Sequence, residues 1–164
     1  MELNAKRWIQ RQPRQVLFIP IYNLLAGKII LNQKIILMGF SMGATTAILA
    51  GARDPAVSAV IADSPFADLR TYLNENLSVW SELPSFPFNQ AFFIVVPNLT
   101  GLRAETVSPV REISNLSGRK LLLIHGEADV DIPIINSETL AGAIPYAQLL
   151  RVPGAGHVKA YAVR

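Results

Sequence analysis

A serine between two glycines forms the pattern G-F-S-M-G at residues 39–43, which fits G-x-S-x-G. An apolar run precedes it and a segment rich in Ala, Met and Leu follows it, so the sequence predicts a sharp turn from a buried strand into a helix. Small residues let the chain pass close to itself there, and the turn presents the hydroxyl at the carboxyl end of the strand. The main-chain N–H of Met42 would then face a developing oxyanion. Ser41 is therefore a candidate nucleophile for acyl transfer, with Met42 as oxyanion donor.

A serine nucleophile needs a general base, and the base needs a carboxylate that orients it. The chain has only two histidines, and both follow apolar runs: His125 ends one, and His157 lies in a glycine-rich loop after another. Either histidine could serve as the base. The carboxylates placed to reach the same edge are Asp63, Glu127, Asp129 and Asp131.

The elements that must position these residues alternate between strand and helix. Apolar runs predict buried strands at residues 34–39, 57–62, 120–124 and 147–152, and helices at 41–52, 68–77 and 136–143. This alternation favours an α/β fold with a mainly parallel sheet flanked by helices. Residues 81–109 contain four prolines and are predicted to be irregular, and residues 69–109 as a whole to form a lid-like excursion.

The first 34 residues carry weaker signals. They predict a short amphipathic helix at residues 2–12 and a strand at 16–21, within an apolar run over 16–31. Pro20, Asn23, Gly27 and Lys28 interrupt that run, which is shorter than the ~20 residues of a membrane span. With the basic cluster at Lys6, Arg7, Arg11 and Arg14, the run also supports a minor hypothesis of membrane-surface association.

Composition narrows the class of protein. The chain has 164 residues, which suits one domain over 1–164. Of these residues 51% are hydrophobic and 16% are charged. So apolar a composition indicates strands buried on both faces, or a protein lacking a partner that covers apolar surface. The net charge of +3 is scattered, so nucleic-acid binding is not expected. Without cysteine, thiolate chemistry is excluded. No metal-ligand cluster or phosphate-binding loop is evident, so neither a metal nor a cofactor is expected. In the absence of a signal peptide, a cytoplasmic location is expected for the chain as given.

Four motifs taken together resemble the α/β-hydrolase superfamily, and most closely its serine aminopeptidase-like and prolyl-oligopeptidase-like bacterial hydrolases. They are G-F-S-M-G-A at residues 39–44, D-S-P-F-A-D at 63–68, H-G-E-A-D at 125–129 followed by I-P at 132–133, and G-A-G-H at 154–157. The resemblance covers residues 34–161. It implies that Ser41 is the nucleophile, Asp129 the acid and His157 the base, with Met42 as oxyanion donor. The implied substrate is a small-molecule ester or amide, cleaved through an acyl-enzyme.

The chain departs from that superfamily at its N-terminal side. Ser41 comes too early for the strands that normally precede the nucleophile, and no His-Gly pair precedes it to supply a second oxyanion donor. We therefore expect the C-terminal portion of the fold, with about four core strands, as in an N-terminally truncated hydrolase. Its first strand would have an unprotected edge that favours self-association. The alternative function is a weak or inactive hydrolase fragment that acts as, or requires, an interaction partner.

Overall fold

The computed structural model describes residues 35–162, apart from the side chain of Trp80. The helix predicted at residues 2–12, the strand at 16–21, the apolar run at 16–31 and the basic cluster all lie outside the described residues.

Strands and helices alternate along the described residues. The strands are β1 (Ile35–Phe40), β2 (Val57–Asp63), β3 (Lys120–Gly126) and β4 (Gln148–Val152). The helices are α1 (Met42–Arg53), α2 (Leu69–Ser81), α3 (Ser85–Thr100), α4 (Pro109–Glu112) and α5 (Ile135–Ala143). Single turns of 3₁₀-helix occur at Ala104–Thr106, Ile113–Leu116 and Ala160–Ala162. The predicted strands and the helices at 41–52 and 136–143 agree with these bounds within two residues.

The strands form one parallel sheet in the order β1-β2-β3-β4. The α/β fold with a parallel sheet of four strands is thus confirmed. Phe40 pairs with Asp63, Asp63 with Ile124, and Gly126 with Val152. The carboxyl ends of all four strands therefore meet at one edge, where the loops that follow β1, β3 and β4 carry the candidate site residues.

The hydrophobic core lies on one face of the sheet. Ile48 of α1 and Leu140 of α5 are fully buried there against Val60 and Leu123 of the central strands. On the opposite face of β1, Ile36, Met38 and Phe40 are 60%, 57% and 46% exposed. The expectation of strands buried on both faces is therefore wrong for β1: its side chains alternate between the core and an exposed apolar face.

Residues 81–109 were predicted to be irregular, and this is wrong, because α3 occupies sixteen of them. Pro87 lies near the beginning of α3, where the missing N–H has no helical partner to lose, and Pro97 lies in its last turn before Gly101 ends the helix. Phe86 departs from helical geometry, so the element is kinked at its start. None of the helices in residues 35–162, including this apolar one, has the length and hydropathy that a membrane crossing needs.

Candidate active site

The turn between β1 and α1 holds Ser41 in a strained conformation. Its φ of 52° and ψ of −123° are unusual for a residue with a side chain. A Cβ atom on Gly39 would lie 2.2 Å from the carbonyl oxygen of Gly43, so only glycine allows the chain to fold back this closely. The N–H of Ser41 donates to the carbonyl oxygen of Asp63 at 2.8 Å, which fastens the turn to the end of β2.

Ser41, His157 and Asp129 form a continuous chain of hydrogen bonds. Nδ1 of His157 lies 2.8 Å from Oδ2 of Asp129, and Nε2 lies 2.9 Å from Oγ of Ser41. An ionised carboxylate only accepts, so Nδ1 carries the proton and Nε2 presents its lone pair to the Ser41 hydroxyl. The imidazole is therefore in the tautomer that can take a proton from Ser41.

Asp129 is held by its own loop after β3. Its Oδ1 accepts from the N–H groups of Asp131 at 3.0 Å and Ile132 at 2.9 Å, which leaves Oδ2 for His157. The carboxylate is fully buried, whereas the side chain of His157 is 23% exposed. Burial with charge-assisted partners fixes the direction of the carboxylate and, through it, the plane of the imidazole.

The loop that carries His157 packs directly on the end of β3. The N–H of Ala128 donates to the carbonyl oxygen of Ala155 at 2.9 Å, and that of Glu127 to the carbonyl oxygen of Val152 at 3.0 Å. A Cβ atom on Gly126 would lie 2.2 Å from the same Ala155 oxygen. The glycine thus allows the loop that carries Asp129 and the loop that carries His157 to touch.

His125, the other candidate base, has no hydrogen bond to Ser41; its Nε2 lies 3.5 Å from Oδ2 of Asp129. Its Nε2 lies 2.7 Å from the carbonyl oxygen of Ile132, which can only accept, so Nδ1 is unprotonated and accepts from the Ser137 hydroxyl at 2.7 Å. The side chain is completely buried. His125 therefore connects β3 by hydrogen bonds to α5 and to the loop that carries Asp129.

Within the described residues, no hydrogen bond joins the other candidate carboxylates to the imidazole of His157. The side chains of Glu127 and Asp131 are exposed, and Asp131 contributes its main-chain N–H instead. Asp63 is only 4% exposed, and its Oδ1 accepts from the Ser64 hydroxyl at 3.3 Å. Burial raises the pKa of the Asp63 carboxyl, although the Ser64 hydrogen bond and the nearby histidines oppose that rise.

The main-chain N–H of Met42 is the first of helix α1, so it has no acceptor within the helix. It follows the nucleophile directly and lies at the positive end of the helix dipole. Met42 itself is 57% exposed. This is the arrangement that an oxyanion donor requires.

One group of side chains in the described residues has the spacing of metal ligands. One ligand atom from each of Asp129, Asp131 and His157 lies within 4.8 Å of the others. Both oxygens of Asp129 and Nδ1 of His157 already take part in hydrogen bonds to one another or to the main chain. A cation would have to break these bonds, so the donor set fits a hydrogen-bonded base better than a metal centre.

Sequence reasoning missed the part that Ser64 and Val158 play around the site. Both have positive φ angles, 52° and 51°, and the N–H of Val158 donates to Oγ of Ser64 at 3.5 Å. Nothing in the local sequence signals a left-handed valine, because a β-branched residue disfavours that conformation. The D-S-P-F motif at residues 63–66 was the one available pointer.

Two clefts run along α2 and α3. The larger, of about 520 Å³, includes Arg70, Asn74, Phe93 and Glu105 in its lining, and the smaller, of about 280 Å³, is lined mainly by apolar side chains. Neither is lined by Ser41, Asp129 or His157. A lid role for residues 69–109 therefore stays a prediction.

A curated bacterial protein matches most of this chain. The protein YfhR of Escherichia coli O157:H7, described as uncharacterized, is 30% identical over 135 residues, which cover 80% of this chain and 41% of YfhR. The chain thus spans less than half the length of that curated relative.

Solved structures share the fold at low sequence identity. A puromycin-hydrolyzing peptidase of Mycobacterium tuberculosis has a TM-score of 0.60 at 23% identity, over 84% of this chain and 20% of that one. The acylaminoacyl peptidase of Pyrococcus horikoshii has a TM-score of 0.60 at 16% identity, over 88% and 23% of the two chains. The α/β-hydrolase MGS-MChE2, from a lagoon-sediment metagenome, has a TM-score of 0.57 at 20% identity, over 87% and 59%.

The model of the prolyl oligopeptidase family matches residues 15–163. That range contains all four strands, the strained turn at Ser41 and the loops that carry Asp129 and His157. With a match of this extent around a site of this geometry, the chain belongs to the prolyl oligopeptidase family of hydrolases.

Proposed function

We propose that the chain is a serine hydrolase that cleaves a small-molecule ester or amide through an acyl-enzyme. The observation that carries the proposal is the hydrogen-bonded line from Asp129 through His157 to Ser41, with distances of 2.8 and 2.9 Å. These lengths lie within the reach that a base and its nucleophile need.

In the first half of the reaction, Nε2 of His157 takes the proton of the Ser41 hydroxyl while Oγ attacks the substrate carbonyl carbon. The carbonyl oxygen becomes an oxyanion that accepts from the Met42 N–H. The tetrahedral adduct then collapses, its bond to the alcohol or amine breaks, and His157 gives the proton to that leaving group. Asp129 stabilises the imidazolium while it exists.

In the second half, a water molecule takes the place of the leaving group. His157 removes a proton from the water, whose oxygen attacks the acyl carbon, and the new oxyanion again faces Met42. When the adduct collapses, Ser41 leaves and recovers its proton from His157, and the acid product departs. We propose that α2 and α3 cover the acyl side of the substrate, which would make that segment a determinant of chain-length preference.

An active-site-directed fluorophosphonate probe tests this proposal. We expect the wild-type chain to be labelled, Ser41→Ala to remain unlabelled, and Ser117→Ala, which alters an exposed serine, to be labelled like the wild type. Release of p-nitrophenol from short p-nitrophenyl esters should follow the same order. Equal labelling of the wild type and Ser41→Ala would contradict the assignment.

The exposed face of β1 supports a second candidate function. Ile36, Met38 and Phe40 present apolar surface beside the sheet edge, which suits a chain that requires a partner for full activity. Size-exclusion chromatography with circular dichroism separates the two candidates. A monomeric chain that melts cooperatively and reacts with the probe would leave only the autonomous hydrolase.

A further inference from the structure

Asp63 and Ser64, at the end of β2, lie between the strand that carries the nucleophile and the strand that carries the acid. The carbonyl oxygen of Asp63 accepts from the Ser41 N–H at 2.8 Å. The N–H of Ser64 donates to the carbonyl oxygen of Ile124 in β3 at 2.9 Å. This dipeptide therefore fixes the nucleophile turn relative to the strand that leads to Asp129.

The hydroxyl of Ser64 extends the connection to the base. It is completely buried, donates to Oδ1 of Asp63 at 3.3 Å and accepts from the N–H of Val158 at 3.5 Å. Val158 directly follows His157. Both distances are longer than the ranges of about 2.5–3.0 Å for O–H···O and about 2.7–3.2 Å for N–H···O bonds. The buried hydroxyl of Ser64 thus links Val158, which follows His157, to Asp63, whose carbonyl oxygen accepts from the Ser41 N–H.

Backbone strain is concentrated at the two ends of this link. Ser64 and Val158 have φ angles of 52° and 51°, in the left-handed region that costs a residue with a Cβ ~1–3 kcal/mol. A β-branched valine is particularly unfavourable there. Such conformations persist only when the surroundings hold them, and the Ser64 hydroxyl is a contact that holds Val158 from the opposite side.

The segment after Ser64 is rigid enough to act as a support. Phe66 donates its N–H to Oγ1 of Thr45 and accepts from that hydroxyl, both at 3.2 Å, which anchors the loop to α1. The N–H of Ala67 donates to Oδ1 of Asn136 at 3.0 Å and anchors it to α5. The loop is thus hydrogen-bonded to two helices, α1 and α5.

We propose that Asp63 and Ser64 form a positioning pair for the reaction. The Asp63 carboxylate orients the Ser64 hydroxyl, and that hydroxyl holds the backbone N–H of Val158. This contact keeps the neighbouring His157 at its reacting distance from Ser41. The inference rests on the proposed function for its kinetic consequence. Neither residue touches the reacting atoms, so both act through the placement of His157.

The first test removes the hydroxyl in two ways. Ser64→Ala keeps the Cβ and hence the strain, whereas Ser64→Gly also relieves the positive φ. We expect both variants to lower kcat for p-nitrophenyl ester hydrolysis about tenfold, the effect of one lost hydrogen bond, with KM unchanged. Ser108→Ala, which alters another buried serine outside the site, should keep the wild-type kcat. A wild-type kcat in Ser64→Gly would overturn the proposal even if Ser64→Ala failed to fold.

The second test compares two changes at Asp63. Asp63→Asn retains an oxygen that accepts from the Ser64 hydroxyl, so we expect a kcat within about twofold of the wild type. Asp63→Ala removes the acceptor and should lower kcat about as much as Ser64→Ala. If Asp63→Asn lost as much activity as Asp63→Ala, the carboxylate would act by its charge and the proposed orienting role would be wrong.

A spectroscopic readout keeps this proposal separate from the proposed function. The chain has only two histidines, so its imidazole NMR signals are few and can be assigned to His157 and His125. We expect Ser64→Ala to shift or broaden the signals of His157, and Ser108→Ala to leave them unchanged. Absence of Ser41-dependent labelling in the wild type would refute the hydrolase, whereas unchanged His157 signals in Ser64→Ala would refute the positioning pair.

Discussion

At the scale of single residues, Asp129 has the contacts that the proposed acid of the triad needs. Its oxygens accept from two main-chain N–H groups and from Nδ1 of His157, and its side chain is completely buried. An amide in its place would have the same shape. Its NH₂ group, however, would donate toward Nδ1 and favour the imidazole tautomer whose Nε2 cannot take the Ser41 proton.

We therefore expect Asp129→Asn to lower kcat by about 10⁴-fold with little effect on folding. Asp131→Asn is the matched control, because Asp131 contributes a main-chain N–H rather than its exposed carboxylate. Stopped-flow or steady-state ester hydrolysis measures both variants. Comparable rates for the two variants would remove Asp129 from the role of acid.

Asp63 makes stability depend on pH. Because burial raises its pKa in the folded chain, the contribution of this group is favourable at low pH and is lost as pH rises through the folded pKa. Asp63→Asn does not titrate. The quantity to compare is the free energy of unfolding of Asp63→Asn minus that of the wild type. We expect this difference to be larger at about pH 7 than at about pH 4.

Urea denaturation of the two proteins at both pH values measures this difference. All other titrating groups are common to both chains, so their effects largely cancel in the comparison. A relative stability that stays constant, or that falls between the two pH values, would show that burial does not raise the pKa of this carboxyl.

The sequence predicts those site residues whose types or motifs are rare in this chain. It does not predict residues whose role depends on backbone geometry. Two histidines and one glycine-flanked serine left few combinations for a base and a nucleophile. The contact of Ser64 with Val158 was not predictable, because it depends on two left-handed residues that local preferences disfavour.

At the scale of elements, the loops after β3 and β4 depend on each other. They meet where Gly126 passes the carbonyl oxygen of Ala155, only two residues before His157. The neighbouring atoms are main-chain atoms and cannot rotate away. The spacing of acid and base thus depends on the absence of a side chain at one position.

We expect Gly126→Ala to destabilise the fold by at least ~1–3 kcal/mol and to slow labelling of Ser41 by the probe, because the His157 loop must move. Gly142→Ala is the matched control: an added methyl there meets no atom within 4 Å, and alanine in α5 should stabilise by ~0.5–1 kcal/mol. Thermal melts and labelling rates measure both. Equal stability of the two variants would contradict the close approach.

Elements were predictable where apolar runs are short and buried, as in β3, which forms over Lys120–Gly126. Helix α3 was not predictable, because prolines usually break helices and its sequence contains two of them among its apolar residues. Pro97 lacks the N–H that would donate to the carbonyl oxygen of Phe93, but it lies within the last turn, so the helix loses this bond only just before Gly101 ends it. Whether a proline breaks a helix therefore depends on its position in that helix, which composition does not reveal.

At the scale of the whole molecule, the exposed side of β1 is the least protected surface of the described sheet. It combines a sheet edge with three apolar side chains that stand 46–60% exposed. Self-association through this edge stays a prediction. A charge introduced on that face should oppose it.

We expect the wild-type chain to sediment as oligomers at micromolar concentration and Met38→Glu to shift it toward monomer. Val79→Glu, at another exposed apolar position, on α2, should leave the distribution unchanged. Analytical ultracentrifugation distinguishes the three samples. Identical distributions for the two variants would exclude β1 as the contact.

The hydrogen bond between Ser41 and His157 also has a consequence for folding kinetics. The two residues are 116 positions apart in the chain, whereas Asp129 and His157 are separated by 28. Closing so long a loop has an entropic cost that is offset only once β1, β2, β3 and β4 have paired. During refolding, nucleophilic reactivity at Ser41 should therefore return with the slowest phase, after the acid and the base have already met.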